Sequence, residues 1–170
     1  MEMFALEVFN DEGNCCTFYS VRWENQGISE TDKFFQKFQN DTTHKISLQK
    51  LVAFLEVVME EKGAQESFFR LENDAHALPP QGKRLVNEVT IDFVNFPLRL
   101  YCLRLSDALI VLFNGAEKTG STAQGGKTSM VFAEANAFAK RILAALYQKD
   151  IFIENKRKFV LYNGTDEIYL

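Results

Sequence analysis

Histidine is scarce: His44 and His76 are the only two in 170 residues, and neither has a second ligand at a metal-binding spacing such as i+4. No metal is expected, and both histidines are read as surface or loop residues. Cysteine is nearly as rare. Cys15, Cys16 and Cys102 form an odd set without disulfide spacing, which fits a reducing compartment. Neighbours on a strand face opposite sides, so Cys15 and Cys16 are not expected to bridge each other. No apolar run approaches the ~18 residues of a spanning helix, and the opening MEMFALEVF lacks the basic region of an export signal. A cytoplasmic protein with no membrane partner is therefore expected. Positive charge is also short: 19 Lys and Arg against 23 Asp and Glu give a net −4. That argues against a surface built wholly to hold nucleic acid and leaves room only for a local basic pocket. Paired-carboxylate signatures, internal repeats and low-complexity tracts are absent as well.

What is abundant is phenylalanine, sixteen in all, which predicts an aromatic-rich core. The length suits one core, and no internal boundary is evident, so residues 1–170 are read as a single domain. Met3–Phe9 and Cys16–Trp23 read as a hairpin across the turn residues 10–14. Ser29 with Asp32 resembles a capping box opening a helix that carries Phe34, Phe35 and Phe38. Ser47 is read as the cap of a longer helix with the stripe Leu48, Leu51, Val52, Leu55, Val58 and Met59, ended by Gly63. Residues 71–83, with two prolines, read as a loop. Strands are expected at Leu85–Phe93, Leu98–Leu105 and Ala108–Phe113, the last two joined by the tight turn Ser106-Asp107. A helix with Val131, Ala135, Phe138, Ile142 and Leu146 follows, capped by Thr128 or Ser129, then a hairpin turning at Asn155-Lys156. The expected fold class is α+β: an antiparallel sheet with an N-terminal αα-hairpin, a later helix and extra terminal hairpins.

The segment NGAEKTGSTAQGGKTS (114–129) has the outline of a phosphate-binding P-loop, with Lys127-Thr128 after glycines. That motif requires four residues between its glycines, because loop length sets the curl of N–H groups around the phosphates. Here five separate Gly120 from Gly126, so the segment reads as a glycine-rich loop before a capped helix. The arginines say more. On LRLYCLRL, Arg99 shares a face with Tyr101, and Arg104 falls on the other. An arginine in an apolar strand costs free energy unless it is paired or reaches a cleft. Lys118 lies just past the next strand, so Arg99, Tyr101 and Lys118 are expected to converge at one end of the sheet.

Three segments carry a resemblance: SFFRLENDAHALPP, then LRLYCLRLSDALIVLFNGAEKTGSTAQ, then the Ala-rich helix with Lys140-Arg141. Together, over roughly residues 45–148, they resemble the RelE/ParE/HigB superfamily, the small toxins of bacterial type II toxin–antitoxin systems. The resemblance implies two N-terminal helices on an antiparallel sheet, closed by a further helix. It implies a metal-independent, cofactor-free, ribosome-dependent mRNA endonuclease in which the substrate 2′-OH attacks its own 3′-phosphate. The alternative is a non-catalytic module on the same fold, a gyrase inhibitor or a toxin without nuclease chemistry. Carried over by position, Arg99 and Lys118 are catalytic, and Tyr101 is a proton relay by proximity. Arg70, Arg104 and Thr119 become phosphate or RNA contacts. The implied partners are a small helix-turn-helix antitoxin and either ribosome-bound mRNA or gyrase. The chain departs from the family in its length and acidity, in Glu117 where the first lysine of a Lys-Lys-Thr signature stands, and in Phe113 near a common histidine position.

Overall fold

A computed structural model describes residues 2–86, 88–118 and 128–170. It is an α+β protein built on one seven-stranded sheet. The strands are β1 (Phe4–Asn10), β2 (Thr17–Trp23), β3 (Arg70–Leu71), β4 (His76–Leu78), β7 (Leu98–Ser106), β8 (Leu109–Glu117) and β11 (Ile168–Tyr169), in the spatial order β11-β1-β2-β8-β7-β4-β3. Two small hairpins stand apart from it, β5 (Lys83–Val86) with β6 (Val89–Asp92), and β9 (Phe152–Glu154) with β10 (Lys158–Val160).

Alternation along β7 and β8 builds two cores, one on each face. Leu98, Leu100, Cys102, Ile110 and Leu112 meet α1 (Glu30–Phe38) and α2 (Lys45–Val57) through Phe34, Phe38, Leu51 and Phe54. Tyr101, Leu103, Val111 and Phe113 meet α3 (Thr128–Tyr147) through Phe132, Phe138 and Ile142. The phenylalanines lie in both cores, as their number implied; Phe4, Phe34, Phe54, Phe93, Phe113, Phe138 and Phe159 are all fully buried. The three cysteines are free thiols, and burial pushes that of Cys16 up to about 12, which leaves it an inert thiol.

Several local expectations match. Ser29 Oγ accepts the Asp32 N–H at 3.0 Å and caps α1, and Gly63 at φ 74° ends the π turn 58–62 that prolongs α2. The hairpin at Asn155-Lys156 turns through two positive φ angles, 53° and 64°. Four other expectations need correction. α2 starts at Lys45 with His44 at its N-cap, so Ser47 lies inside the helix. The stretch 71–83 is no plain loop: β4 runs through it and pairs with β7, with both prolines beyond the paired residues. Leu85–Phe93 is a hairpin folded at Glu88, whose φ is 66°, and not one strand. The sheet is mixed, because β2 pairs parallel with β8 from Thr17↔Leu109 to Ser20↔Leu112. β8 therefore has an antiparallel neighbour on one side and a parallel neighbour on the other.

The later segments are tied back to the first hairpin. Arg157 donates to Thr17 Oγ1, and to the carbonyls of Asn14 and Gly13, while the Phe159 N–H donates to the Tyr19 hydroxyl. β11 then covers the outer side of β1 through Ala5↔Tyr169 and Leu6↔Ile168.

Candidate functional site

The register of β7 and β8 decides which side chains share a face. Arg99 stands opposite Ala116, and Leu98 opposite Glu117. Between Leu100↔Gly115 and Cys102↔Leu112 the register shifts, so Phe113 and Asn114 both face Tyr101 across the ladder. Gly115 is obligatory at this bulge: a Cβ there would lie 2.0 Å from the Arg99 carbonyl and 2.8 Å from the Phe34 ring. Beyond the last pair, the Lys118 N–H donates to the Pro97 carbonyl at 2.7 Å, which continues the ladder by one residue. Alternation then puts Lys118 on the Arg99 face and Glu117 on the opposite one.

Glu117 does not crowd the cations. Its Oε1 lies 3.4 Å from His44 Nε2 on the α1–α2 side. His44, expected at the surface or in a loop, is buried at the N-cap of α2, with its ring edge against Phe38 and no hydrogen-bond partner for Nδ1 among the described residues. His76 is likewise no loop residue. It lies in β4, where Nδ1 accepts the Arg104 N–H, and burial, then the Arg104 charge, lower its pKa and keep it neutral.

On the Arg99 face, three cations come from three strands. Arg99 is 5 % exposed, and its Nη1 donates to the carbonyls of Phe96 and Leu98 at 2.8 and 2.9 Å. Its Nε and Nη2 make no hydrogen bond among the described residues. Arg70 on β3 donates Nε–H to the Pro79 carbonyl at 2.8 Å. The β4–β7 register runs His76↔Cys102 to Leu78↔Leu100, so one step further brings Pro79 beside Arg99. Arg70 also shares a row with Tyr101, through Arg70↔Ala77 and Ala77↔Tyr101. Ala77, between them, is fully buried in the core it shares with Tyr101 and Phe132.

The charges sense one another. Burial lowers the pKa of Arg99 to about 10, with Arg70 as the next cause. Burial and then Arg99 lower that of Lys118, and burial lowers that of Arg70. Burial raises the Tyr101 pKa, so its phenol stays protonated. Tyr101 is 1 % exposed, hydrogen-bonded to Thr128 at the start of α3 and packed on Phe132. It supports the site from below. Cationic groups without tight carboxylate partners can bind an oxyanion, and a phosphodiester is the natural fit to a guanidinium fork.

Of the residues expected in a site, Arg70, Arg99, Tyr101 and Lys118 are thus brought together. Arg104 is not: it lies on the opposite face, donates to the Ala64 carbonyl and pairs with Asp107 at 2.5 Å and Glu66 at 3.7 Å. Its charge is already used to hold the β7–β8 turn to residues 64–66. Thr119 and the glycine-rich 120–127, with Lys127, lie outside the described residues. Among the described residues no group of histidine, cysteine and carboxylate side chains is arranged to hold a metal, and no helix is long and apolar enough to cross a membrane.

Two carboxylate features escaped sequence reasoning. Glu72 acts on Arg70, Arg99, Tyr101 and Lys118 alike. Glu134 on α3 hydrogen-bonds Glu30, which is 2 % exposed and ion-paired to Lys33 in the first turn of α1. Burial, then Glu30, raises the Glu134 pKa to about 7, with Lys33 opposing and Glu2 adding to the rise. Residues this far apart in sequence carry no spacing signal. Because the folded pKa is raised, this proton's stabilisation is complete below the usual carboxylate range and lost as pH rises through about 7. The urea midpoint is expected to fall between about pH 5 and about pH 8.5 in the native protein, with that drop flattened in Glu134→Gln. Equal pH profiles for the two proteins would refute the shared proton.

Comparison with known protein families, curated proteins and solved structures returns no match for this chain.

Proposed function

We propose that the protein is a metal-independent endoribonuclease of the toxin type, cutting ribosome-bound mRNA, and that a small helix-turn-helix antitoxin neutralises it. The observation that carries this reading is the meeting of Arg70, Arg99 and Lys118 on one face at one end of the sheet, with Tyr101 beneath them. The succession of a helix pair, an antiparallel-dominated sheet and a closing helix supports it, as does Glu117 turning away to His44. In the proposed reaction the substrate 2′-hydroxyl loses its proton to solvent and attacks its own 3′-phosphorus. The bond to the departing 5′-oxygen breaks, leaving a 2′,3′-cyclic phosphate. Arg99 and Arg70 stabilise the charge on the phosphoryl oxygens. The Lys118 ammonium, with its pKa lowered, protonates the departing oxygen. Tyr101, a neutral buried phenol, positions the face and is not the base.

The test is expression alone in a bacterial host, with mapping of new 5′-hydroxyl ends on cellular transcripts. Growth arrest with cleavage is expected, and Lys118→Ala should reduce cleavage about 100-fold. The burial of Arg99 and Tyr101 favours one competing reading, a non-catalytic binding module, gyrase being one target. Growth arrest with intact transcripts would select that reading; neither arrest nor cleavage would overturn both.

A further inference from the structure

Glu72 follows β3 directly, and its N–H donates to the Ala75 carbonyl at 3.1 Å, extending the pairs Arg70↔Ala77 and Leu71↔His76 by one step. Two residues from Arg70 on an extended strand, it lies on the same face as Arg70, Arg99, Tyr101 and Lys118. Ala75 and Ala77 beside it are fully buried in the core that α3 closes, with the Ala75 N–H donating to Asn136 Oδ1 at 2.9 Å. β3 is the outermost strand on this side, so the half-buried Glu72 lies at the edge of the cationic cluster. Its charge favours the ionised forms of Arg70, Arg99 and Lys118 and opposes ionisation of Tyr101. Yet among the described residues it closes no ion pair within 4 Å with any of the three cations. A carboxylate that senses three cations without locking onto one is placed to balance them and still be displaced.

We infer that Glu72 is the cluster's own anion, and that a phosphodiester binds among Arg70, Arg99 and Lys118 in competition with its carboxylate. The inference rests on the reading of the cationic cluster as a phosphate site, and it adds that affinity there is restrained from within. Arg70, Arg99 and Lys118 against one carboxylate leave an excess of positive charge, so the site still attracts a phosphate. Removing Glu72 removes both a competitor and a like charge facing the incoming anion. The restraint also bears on specificity. A ligand presenting successive phosphates can engage Lys118 and Arg99 while Glu72 gives way, whereas a single small anion gains less from the exchange.

The experiment uses the full chain and two probes: inorganic phosphate, and a short single-stranded oligoribonucleotide made uncleavable by 2′-deoxy substitution. Binding is read by titration calorimetry for the first and by fluorescence anisotropy for the second, at several salt concentrations. Glu72→Gln should bind the oligonucleotide about tenfold more tightly at low salt, with the gain shrinking as salt screens the charges. Glu72→Asp, which keeps the charge on a shorter stem, should stay within about twofold of the native protein. Unfolding midpoints of all three proteins serve as the control for folding. Unchanged or weaker binding by a folded Glu72→Gln would overturn the inference, and so would failure of every variant to bind either probe. Tighter binding without any RNA cleavage by the native protein would leave the inference standing and remove the nuclease reading. Cleavage by the native protein with no change in affinity on Glu72→Gln would do the reverse.

Discussion

Gly115→Ala is expected to cost about 3 kcal/mol or more, enough to leave little folded protein. The new methyl would lie 2.0 Å from the Arg99 carbonyl and 2.8 Å from the Phe34 ring carbons, both far inside van der Waals contact. Neither neighbour has room to yield. The carbonyl belongs to the central β7–β8 ladder, and Phe34 is fully buried between α1 and the sheet, edge-on to Phe35 and Phe38. Relief would require prising α1 from β8 or opening the ladder beside Arg99. A urea titration followed by far-ultraviolet circular dichroism checks this outcome. Gly27→Ala is the control, because a Cβ at Gly27 meets nothing within 4 Å. Equal midpoints for the two variants would show that the bulge relaxes more easily than its packing implies.

Arg99→Met should have opposite effects on function and stability. Removing the guanidinium should lower single-turnover RNA cleavage by about 10²- to 10³-fold, the usual loss when a principal oxyanion-stabilising donor is removed. The same change should raise the unfolding midpoint. Arg99 is 5 % exposed, donates only to carbonyls among the described residues, and is held by burial at a pKa of about 10. A cation whose pKa is lower folded than unfolded destabilises the fold while it is charged, here by an amount on the order of a few kcal/mol. The penalty is present at neutral pH and is relieved only as pH rises through about 10 towards the ordinary arginine range. Methionine matches the stem without the charge, so the site should exchange catalysis for stability. A destabilised Arg99→Met would mean that the bonds to Phe96 and Leu98 outweigh desolvation.

Much of this geometry was legible where one local rule decides it. Ser29 with Asp32 fixed the start of α1, and strand alternation put Arg99 with Tyr101 and Arg104 behind them; Ser106-Asp107 marked the β7–β8 turn one residue early, since Ser106 still pairs with Leu109 and the turn is Asp107-Ala108. Alternation would also have turned Glu117 away from Lys118, had β8 been followed past Phe113 to its end at Glu117. The rest depends on partners distant in sequence. β4 is three residues long and sits among turn formers, so only its pairing with β7 makes it a strand. The β5–β6 turn is hidden because Glu88, not glycine, takes the positive φ there. Glu72 shows its role only once β3 is laid against β4, and the Glu30–Glu134 pair only once α3 lies beside the start of α1.

The parallel pairing of β2 with β8 also dictates the order in which the chain can assemble during synthesis. β1 and β2 emerge early, yet the inner edge of β2 has no partner until β8 has been made, well past the middle of the chain. The outer edge of β1 waits longer still, for residues 168 and 169. Until then the nascent hairpin offers two open edges to any neighbouring chain, and contacts spanning so much sequence close slowly. The fold is thus completed from its centre outwards, with its earliest strands the last to be enclosed on both sides.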